Sequence, residues 1–430
     1  MTTPTNVPSR RPRAGFLCSL CLVFSVSSVP LWFARAAEDG PRFTLHTADG
    51  PPRTGPLHKL GDNWLVRLSA EGGRAEGADV LSLRRADVPM PPFPDGEQLL
   101  FANGDRLPVS AEGLSLAGER LRFSSPDLND GKPVQAPLAA VAALWFAAPD
   151  GREDEADRDR RRLATAKRTQ DVVLLRNGDR VEGILTGLDR QAVEMEVARK
   201  PVKVPCDRVA AVALNTELAA RLRPKGLYGR LTLDDGCRLS VSAAACADGQ
   251  KVEAKALLGA AVRVPVGRVV SLDLLGGKAV YLSDLKPRKY EYASPDGSPF
   301  RYDLAADANA LGGDLRLGGG THARGLGMHS PCRVSYALPP GCRRFEALVG
   351  LDDLAGRDGG TGREGSARVR VLLDGKPQQL PGGGELPRRG ARLALSVDVT
   401  GAKELTLEAA GGRSGSVLGC VDWADARLVK

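Results

Sequence analysis

The sequence predicts an all-β protein in which small repeated β units precede a β-sandwich. Three observations indicate this. Glycine (50) and proline (30) make up about a fifth of the 430 residues while aromatic residues are only 5%, a composition that favours short strands and turns. A turn-and-strand pattern recurs through the first half, and period-two alternation of apolar residues follows in the second. The length allows several domains with cores of their own.

The N-terminus, residues 1–36, has the order of a secretory signal peptide. Three arginines (Arg10, Arg11, Arg13) precede an apolar stretch from Gly15 to Phe33, and the small-x-small tripeptide Ala34-Arg35-Ala36 follows. The alternative is an uncleaved anchor, since the stretch approaches the ~20 residues that span a bilayer. Ser25, Ser27, Ser28 and Pro30 weaken the stretch as a membrane span and favour cleavage. We therefore expect an exported protein, periplasmic, cell-surface or extracellular, with no stable membrane span after cleavage.

The charge of the mature chain does not indicate a nucleic-acid partner. Four arginines lie in the predicted signal peptide, and without them 56 basic residues face 52 acidic ones. Proteins that bind phosphate backbones usually carry a much larger basic excess. We therefore expect no nucleic acid as partner.

The cysteines indicate neither a disulfide scaffold nor a zinc site, because those left after cleavage are sparse and irregularly spaced. They are Cys206, Cys237, Cys246, Cys332, Cys342 and Cys420. If the turn Pro339-Pro340-Gly341 forms a hairpin, Cys342 lies opposite Leu338, so a bridge between Cys332 and Cys342 is disfavoured.

Between residues 43 and 275, a unit of two strands joined by a tight glycine turn recurs. The turns are Asn103-Gly104-Asp105-Arg106, Asn177-Gly178-Asp179-Arg180 and Asp235-Gly236-Cys237-Arg238. Each is followed by Pro-x-x-x-Val, ending at Val141, Val209 and Val269, and three residues later by Leu144, Val212 and Leu272. A degraded copy is predicted around Asp49-Gly50, with strands at 64–68 and 80–83. We thus predict one pair of repeats in 38–148, a charged linker or helix in 149–168, and a second pair in 169–275.

The repeat pattern resembles the small SH3-like or Sm-like barrels, at ~50 residues per copy. An Sm-like unit would suggest RNA, but the charge balance and the lack of interleaved basic and aromatic residues favour a structural role or contacts with envelope proteins. Units this small bury little surface alone, so we expect neighbouring copies to pack together.

From residue 278 onward the chain predicts a sandwich of ~150 residues. Strands are predicted at Val334 to Leu338, Phe345 to Val349, Ala367 to Leu373, Leu393 to Val399 and Leu405 to Ala409. Loops are predicted at 355–365 and 381–390.

Five motifs occur in order in this region: Tyr281-Leu282-Ser283-Asp284-Leu285, Gly325-Leu326-Gly327-Met328-His329-Ser330, the segment 345–353, the strand and turn 369–376, and Asp422-Trp423-Ala424-Asp425-Ala426-Arg427-Leu428. In this order they resemble the NPCBM domain, a carbohydrate-binding module first noted beside glycoside hydrolase family 98 catalytic domains. The resemblance covers residues 278–430. It implies a jelly-roll sandwich that binds galactose-type sugars through loops at one edge, with structural calcium in some relatives.

A sugar site needs fixed polar groups and usually an aromatic platform. The candidates for carbohydrate binding are His329, Arg324, His322, Asp352, Asp353, Asp422 and Trp423. Each has a structural alternative. His329 would satisfy loop backbone groups, the aspartates of 352–353 would cap a turn, and Trp423 would lie in the core. Asp425 and Arg427, two apart, would form an ion pair.

One departure from the family pattern favours a second hypothesis. Relatives often carry Asp-His-Ala before the final Asp-Trp, whereas this chain has Gly419-Cys420-Val421. Two polar positions have therefore become nonpolar or backbone-only. The alternative to a glycan-binding protein is a cell-envelope structural or interaction protein with a degenerate sugar site.

The sequence carries no catalytic signature, so we expect no enzyme. Gly412-Arg413-Ser414-Gly415-Ser416 fails the nucleophile-elbow pattern at its last position, and neither a phosphate loop nor His-Glu-x-x-His occurs. Two of the four histidines, His322 and His329, could share a metal only across a glycine turn, which we do not expect. A glycoside hydrolase, which needs only two carboxylates brought together by folding, is the remote alternative.

Overall fold

The computed structural model describes residues 40–68, 73–94, 96–146, 163, 166–294, 297, 301–353, 365–413, 415–416 and 418–430. The elements are β-strands and short 3-10 turns, which confirms the all-β prediction. In this part of the chain no helix has the length and apolar character needed to cross a bilayer. The predicted signal peptide and most of the predicted linker 149–168 lie outside the described residues.

The first half contains four copies of one unit, here called repeats 1 to 4. Repeat 1 comprises β1 (Arg42–Thr47), β2 (Arg53–Gly61), β3 (Leu65–Leu68), β4 (Arg74–Ala75) and β5 (Val80–Arg85). Repeat 2 comprises β6 (Gln98–Phe101), β7 (Arg106–Pro108), β8 (Ser110–Ala117), β9 (Arg120–Ser124), β10 (Val134–Pro137) and β11 (Val141–Trp145). Repeat 3 comprises β12 (Asp171–Leu175), β13 (Arg180–Leu188), β14 (Ala192–Val197), β15 (Lys200–Pro205) and β16 (Val209–Ala213). Repeat 4 comprises β17 (Tyr228–Leu233), β18 (Arg238–Ala245), β19 (Lys251–Ala256), β20 (Ala261–Pro265) and β21 (Val269–Leu275).

Every repeat has the same antiparallel strand order. The first strand pairs with both the second and the last, and the third strand lies between the second and the fourth. In repeat 2 the second strand is divided into β7 and β8. The predicted glycine turns join the first two strands, with φ of +88° at Gly104, +91° at Gly178 and +85° at Gly236, where other residues would be strained.

A 3-10 turn precedes the last strand of each repeat, at Gly77–Asp79, Leu138–Ala140, Cys206–Arg208 and Val266–Arg268. In repeats 2 to 4 the residue before the turn is a proline, whose fixed φ of −55° to −58° suits this position. In repeat 1 the same place is taken by Glu76. The first copy therefore lacks the proline signal although its fold is the same.

The last strands join the repeats in two pairs. In β5 and β21, Leu83 lies opposite Leu272, and in β11 and β16, Leu144 lies opposite Val212. All four side chains are at most 4% exposed. Repeat 1 therefore pairs with repeat 4, and repeat 2 with repeat 3. The copies pack together as expected, but in a nested order rather than in sequential pairs.

The second half is the sandwich. Its strands are β22 (Ala279–Tyr281), β23 (Lys289–Tyr292), β24 (Ala305–Ala306), β25 (Leu315–Leu317), β26 (Gly320–His322), β27 (Gly325–His329), β28 (Cys332–Ala337), β29 (Arg344–Leu351), β30 (Ala367–Leu373), β31 (Lys376–Pro377), β32 (Glu385–Leu386), β33 (Arg392–Asp398), β34 (Glu404–Gly411) and β35 (Cys420–Val429). One sheet has the order β24-β27-β35-β29-β33, with β22 also on β35. The other has the order β23-β28-β34-β30-β31, with β32 also on β30. All five predicted strands are present, within two residues at each end.

Two local predictions need correction. The predicted loop 381–390 contains a 3-10 turn and β32, while nearly all of the predicted loop 355–365 lies outside the described residues. The predicted hairpin around Gly341 is wrong, because β28 and β29 belong to different sheets and the turn carries the chain from one to the other. The six described cysteines carry no disulfide.

The sandwich is docked on repeats 1 and 4. A buried apolar cluster fills this junction: Ala48, Leu81, Tyr228, Leu275, Ala279, Tyr281 and Val429. It combines residues of both repeats with β22 and the end of β35. Because the cluster excludes water, it contributes hydrophobic stabilisation to the docked arrangement.

Candidate functional site

An aromatic surface lies where β23 and β27 end, and we call its residues Tyr292, Tyr302 and His329 the tyrosine–histidine patch. The rings of Tyr302 and His329 are stacked, with centroids 3.9 Å apart and planes within 4° of parallel. Tyr292 meets Tyr302 edge-on at 5.7 Å and His329 at 6.2 Å. Both tyrosines are half-buried, whereas His329 is 7% exposed. The tyrosines therefore form the accessible part of the patch.

The rings of the patch are held in place by the backbone. His329 Nδ1 lies 2.8 Å from the carbonyl oxygen of Ser330, so a neutral imidazole donates from Nδ1 and keeps Nε2 as an acceptor. Burial lowers the pKa of His329, although the hydrogen bond to Ser330 partly opposes this, so the ring is neutral at pH 7. Tyr290 Oη donates to the carbonyl oxygen of Tyr302 at 2.9 Å and fixes that segment. The patch thus offers a preorganised aromatic surface.

The family departure at Cys420 lies directly beside the patch. Cys420 is opposite His329 in the pairing of β27 with β35, and it is 3% exposed. Burial, followed by the neighbouring charges of Asp352 and Asp422, raises the pKa of its thiol. A buried protonated thiol behaves as a small apolar side chain, so this position supplies no strong polar contact.

Asp352 and Asp422 form a buried carboxyl pair. Both are 0% exposed, and one backbone N–H, that of Arg316, reaches an oxygen of Asp352 at 3.2 Å and one of Asp422 at 3.1 Å. Burial and then the charge of Asp352 raise the pKa of Asp422 well above its ordinary value. The proximity of the Asp352 carboxyl group thus favours a proton on Asp422. Both predicted sugar contacts are thus out of reach of a ligand.

The structural calcium that the family resemblance implies stays a prediction. Around the carboxyl pair, Asn309 Nδ2 donates to Asp352 at 3.2 Å, and the backbone N–H of Arg316 donates to both side chains.

Asp353 fastens a loop to the end of β29. Its carboxylate accepts hydrogen bonds from the backbone N–H of Gly318 at 3.1 Å and of Gly319 at 2.7 Å. This is the structural alternative considered for the pair 352–353, because the side chain orders a turn between β25 and β26.

Arg324 lies at the junction with the repeats rather than at a free sheet edge. Its guanidinium contacts Asp284, donates to Asp307 at 2.8 Å and lies 4.9 Å from the ring centre of Tyr281. The side chain is 13% exposed. The guanidinium is already paired with two carboxylates, and the predicted sugar contact of Arg324 stays a prediction.

Trp423, His322 and Asp425 are also engaged in contacts within the protein. Trp423 is 0% exposed and packs against Phe345 at 6.5 Å between ring centres, so it belongs to the core. His322 Nδ1 lies 3.1 Å from an oxygen of Asp425, away from the contacts of His329. The predicted ion pair between Asp425 and Arg427 is wrong, because Arg427 binds Glu346 at 2.8 Å instead.

Sequence reasoning missed both tyrosines of the patch. A usable signal was present, because three of the six tyrosines lie between residues 290 and 302. Their alignment with His329 depends on the pairing of β23 with β28 and on the path of residues 301–304, which the sequence pattern does not define.

Residues 278–429 match the family model of the NPCBM/NEW2 domain. This segment is an NPCBM domain. The match confirms the resemblance and supports carbohydrate binding by this part of the chain, while the repeats lie outside it.

A curated protein from Renibacterium salmoninarum, named "Putative endo-alpha-N-acetylgalactosaminidase", is 30% identical over 164 residues. The aligned part is 35% of this chain and 10% of that protein, so the chain spans about a tenth of the relative's length.

Among solved structures, a CBM51 module of a Clostridium perfringens GH95 protein in complex with methyl-galactose is 22% identical, with a TM-score of 0.30, over 35% of this chain and 99% of that one. CBM51-2 with INT domains of Clostridium perfringens ZmpB, in complex with GlcNAc, is 20% identical, with a TM-score of 0.30, over 47% and 43% of the two chains. Similarity at this level does not define a ligand for this protein.

Proposed function

We propose that this chain is an exported, non-catalytic carbohydrate-binding protein whose NPCBM domain holds a galactose-type glycan at the tyrosine–histidine patch. The observation that carries the proposal is the half-buried ring of Tyr302, held parallel to His329 at 3.9 Å. It lies in a domain whose family is associated with carbohydrate binding.

The chemistry of the patch suits a pyranose ring. A sugar has one face of C–H groups, which packs on an aromatic ring, and hydroxyl groups around its edge that need fixed partners. Tyr292 and Tyr302 supply rings with phenolic hydroxyls. The imidazole of His329 is hydrogen-bonded to the backbone and stacked on Tyr302, and this order before binding reduces the conformational entropy lost on binding.

Export and lack of catalysis are further parts of the proposal. Export is supported by the basic, apolar and small-x-small segments of residues 10–36. N-terminal sequencing of the protein recovered from expressing cells tests it, with Ala37 as the expected first residue. The absence of a catalytic signature in the sequence supports a binding role.

A second candidate is a cell-envelope interaction protein with a degenerate sugar site. The buried thiol of Cys420 at the position where relatives often carry a histidine favours it. In that case the repeats would contact other envelope proteins.

A glycan-array screen of the full-length mature protein separates the two candidates. Selective capture of galactose-type glycans is the result we expect. A blank array from folded protein would overturn glycan binding and favour the interaction protein. The full chain is needed, because the sandwich shares a buried cluster with repeats 1 and 4.

A further inference from the structure

A cleft lies between the repeats and the NPCBM domain, and its lining does not include the tyrosine–histidine patch. Its walls are the β6–β7 turn at 101–106, the segment 214–223 after repeat 3, and residues 283–284, 306–307 and 323–324 of the sandwich. The cleft has a volume of about 770 Å³. This is within the range of pockets that hold small ligands, and such pockets occur preferentially at domain interfaces.

The lining of the cleft is rich in positive charge. Seven lysine and arginine side chains face four carboxylates among the described lining residues. The carboxylates are mostly engaged: Asp105 accepts from Ser240, Asp307 from Arg324, and Asp284 is shared between Arg223 and Arg324. A positive excess therefore remains along the segments 167–168 and 214–223.

Arg168 contributes a charge that is not cancelled by a direct ion pair among the described residues. Its Nε donates to the carbonyl oxygen of Leu214 at 3.2 Å, and its Nη1 to that of Leu163. Both acceptors are neutral. Burial lowers the pKa of Arg168, and Asp171 offsets this only in part. An anion in the cleft would therefore gain from this charge.

Two exposed cations, Lys167 and Arg221, line the same cleft as Arg168. The wall that carries them is fixed rather than loose. Thr216 Oγ1 accepts from the backbone N–H of Arg168 at 2.9 Å, and the backbone N–H of Ala220 donates to Ala139 at 2.7 Å. The backbone that carries the cationic groups is thus ordered before any ligand arrives, which reduces the entropic cost of binding.

We propose that this cleft binds an acidic saccharide, with Lys167 and Arg221 contacting a carboxylate or sulfate group in the field of Arg168. The anionic character of the ligand follows from the charges, and its saccharide nature rests on the proposed function. The site is separate from the tyrosine–histidine patch, so the protein would hold two parts of a glycan, or two glycans.

The test is calorimetric titration of the full-length mature protein with three probes: tri-galacturonic acid, a sulfated galactotriose and neutral galactotriose. The first two probes distinguish carboxylate from sulfate. The cleft variant is K167E/R221E, and the matched control is K132E/K200E, which makes the same charge change at exposed positions elsewhere. A third variant, Tyr302→Ala, reports on the patch.

We expect the cleft variant to bind the acidic probe at least about tenfold more weakly than wild type, while the control changes by less than about twofold. Binding of neutral galactotriose should be unchanged in both variants.

Equal weakening of acidic-probe binding by the control variant would show a long-range charge effect and overturn the site. Loss of acidic binding only in Tyr302→Ala would place the ligand at the patch instead. Binding of an acidic probe without any binding of neutral galactotriose would support the cleft and count against sugar binding at the patch. Failure of the cleft proposal and failure of the proposed function are therefore distinguishable. No binding of either acidic probe by wild type would overturn the cleft.

Discussion

Arg84 Nη1 donates to Asp425 Oδ2 at 2.7 Å and so ties the last strand of repeat 1 to the last strand of the NPCBM domain. Asp425 occupies a bulge of β35 with φ of +52°, which turns its carboxylate toward the repeats. Arg84 Nη2 also binds Asp273 of repeat 4 at 3.1 Å. Three parts of the chain therefore share one charge cluster, beside the apolar cluster that docks them.

Replacing Arg84 with alanine should destabilise the protein by about 2 kcal/mol, because the Arg84 and Asp425 side chains are only 24% and 17% exposed and Asp425 would keep only His322 as a partner. The chain offers a matched control in Arg343, which pairs with Asp49 at 2.9 Å across the same junction, with both side chains more than half exposed. Arg343→Ala should cost less than about 1 kcal/mol. Urea unfolding of the two variants measures the difference. Equal costs would show that Arg84 does not stabilise the docked arrangement.

The contribution of Asp425 should disappear in acid. Burial raises the pKa of Asp425, but Arg84 and His322 outweigh this and hold it well below its ordinary value of 3.8. A lowered folded-state pKa stabilises the protein above the unfolded value, and this stabilisation is lost as the pH falls through the folded value. Asp425→Asn should therefore be less stable than wild type at pH 7, and the gap should narrow below pH 3.8. Thermal unfolding across pH checks this, and a gap independent of pH would contradict it.

Asp422 should show the opposite pH dependence. Because burial and Asp352 raise its folded-state pKa, its favourable contribution is complete below 3.8 and declines as the pH rises above that value toward the folded pKa. Asp422→Asn keeps a donor for Asp352 and cannot ionise. Its stability relative to wild type should thus improve as the pH rises above 3.8. A relative stability that worsens over this interval would show that Asp422 is ionised in the folded protein.

Leu83 and Leu272 lie opposite each other where repeats 1 and 4 pair, and we expect this contact to stabilise the pairing. Leu272→Ala should lower the free energy of unfolding by about 3 kcal/mol, because the Leu272 side chain is only 1% exposed and its truncation leaves a buried cavity. Ile184→Ala is the control, since Ile184 is 58% exposed and its loss should change stability by less than about 0.5 kcal/mol. Chemical unfolding of both variants tests the pairing. A cost for Leu272→Ala as small as that of the control would indicate that the two repeats do not depend on this contact.

The repeats could be predicted from sequence where the local chemistry is strict. The Asn-Gly and Asp-Gly turns need positive φ, and the proline before the 3-10 turn has a fixed φ, so both leave readable signals at Gly104 and Pro137. Which repeats pair could not be predicted. Leu144, Val212 and Leu272 occupy equivalent positions in the last strands of their repeats. Each is apolar, so any of these strands could pair with any other, and the sequence does not specify the partner.

The site was harder to predict because a buried polar residue binds partners within the protein instead of a ligand, and burial is not visible in the sequence. Asp352, Asp422 and Arg324 are typical of binding sites by composition, yet each is held by groups far away in the sequence. The motif that contains His329 leaves a readable signal, because the backbone at 308–310 approaches Gly327 so closely that a side chain there would clash. The tyrosines carried no motif, and their meeting with His329 depends on tertiary packing.

Glycan binding at the tyrosine–histidine patch is tested by titration of the full-length protein with a galactose-type oligosaccharide, comparing wild type, Tyr302→Ala and Tyr302→Phe. The phenylalanine variant keeps the ring that stacks on His329, whereas the alanine variant removes it. His58→Ala, at an exposed position in repeat 1, controls for a general effect of substitution. We expect binding by wild type, Tyr302→Phe and His58→Ala, and at least about fivefold weaker binding by a folded Tyr302→Ala, since losing an aromatic contact of this kind costs about 1 kcal/mol or more. An unchanged Kd for the folded Tyr302→Ala variant would contradict this expectation.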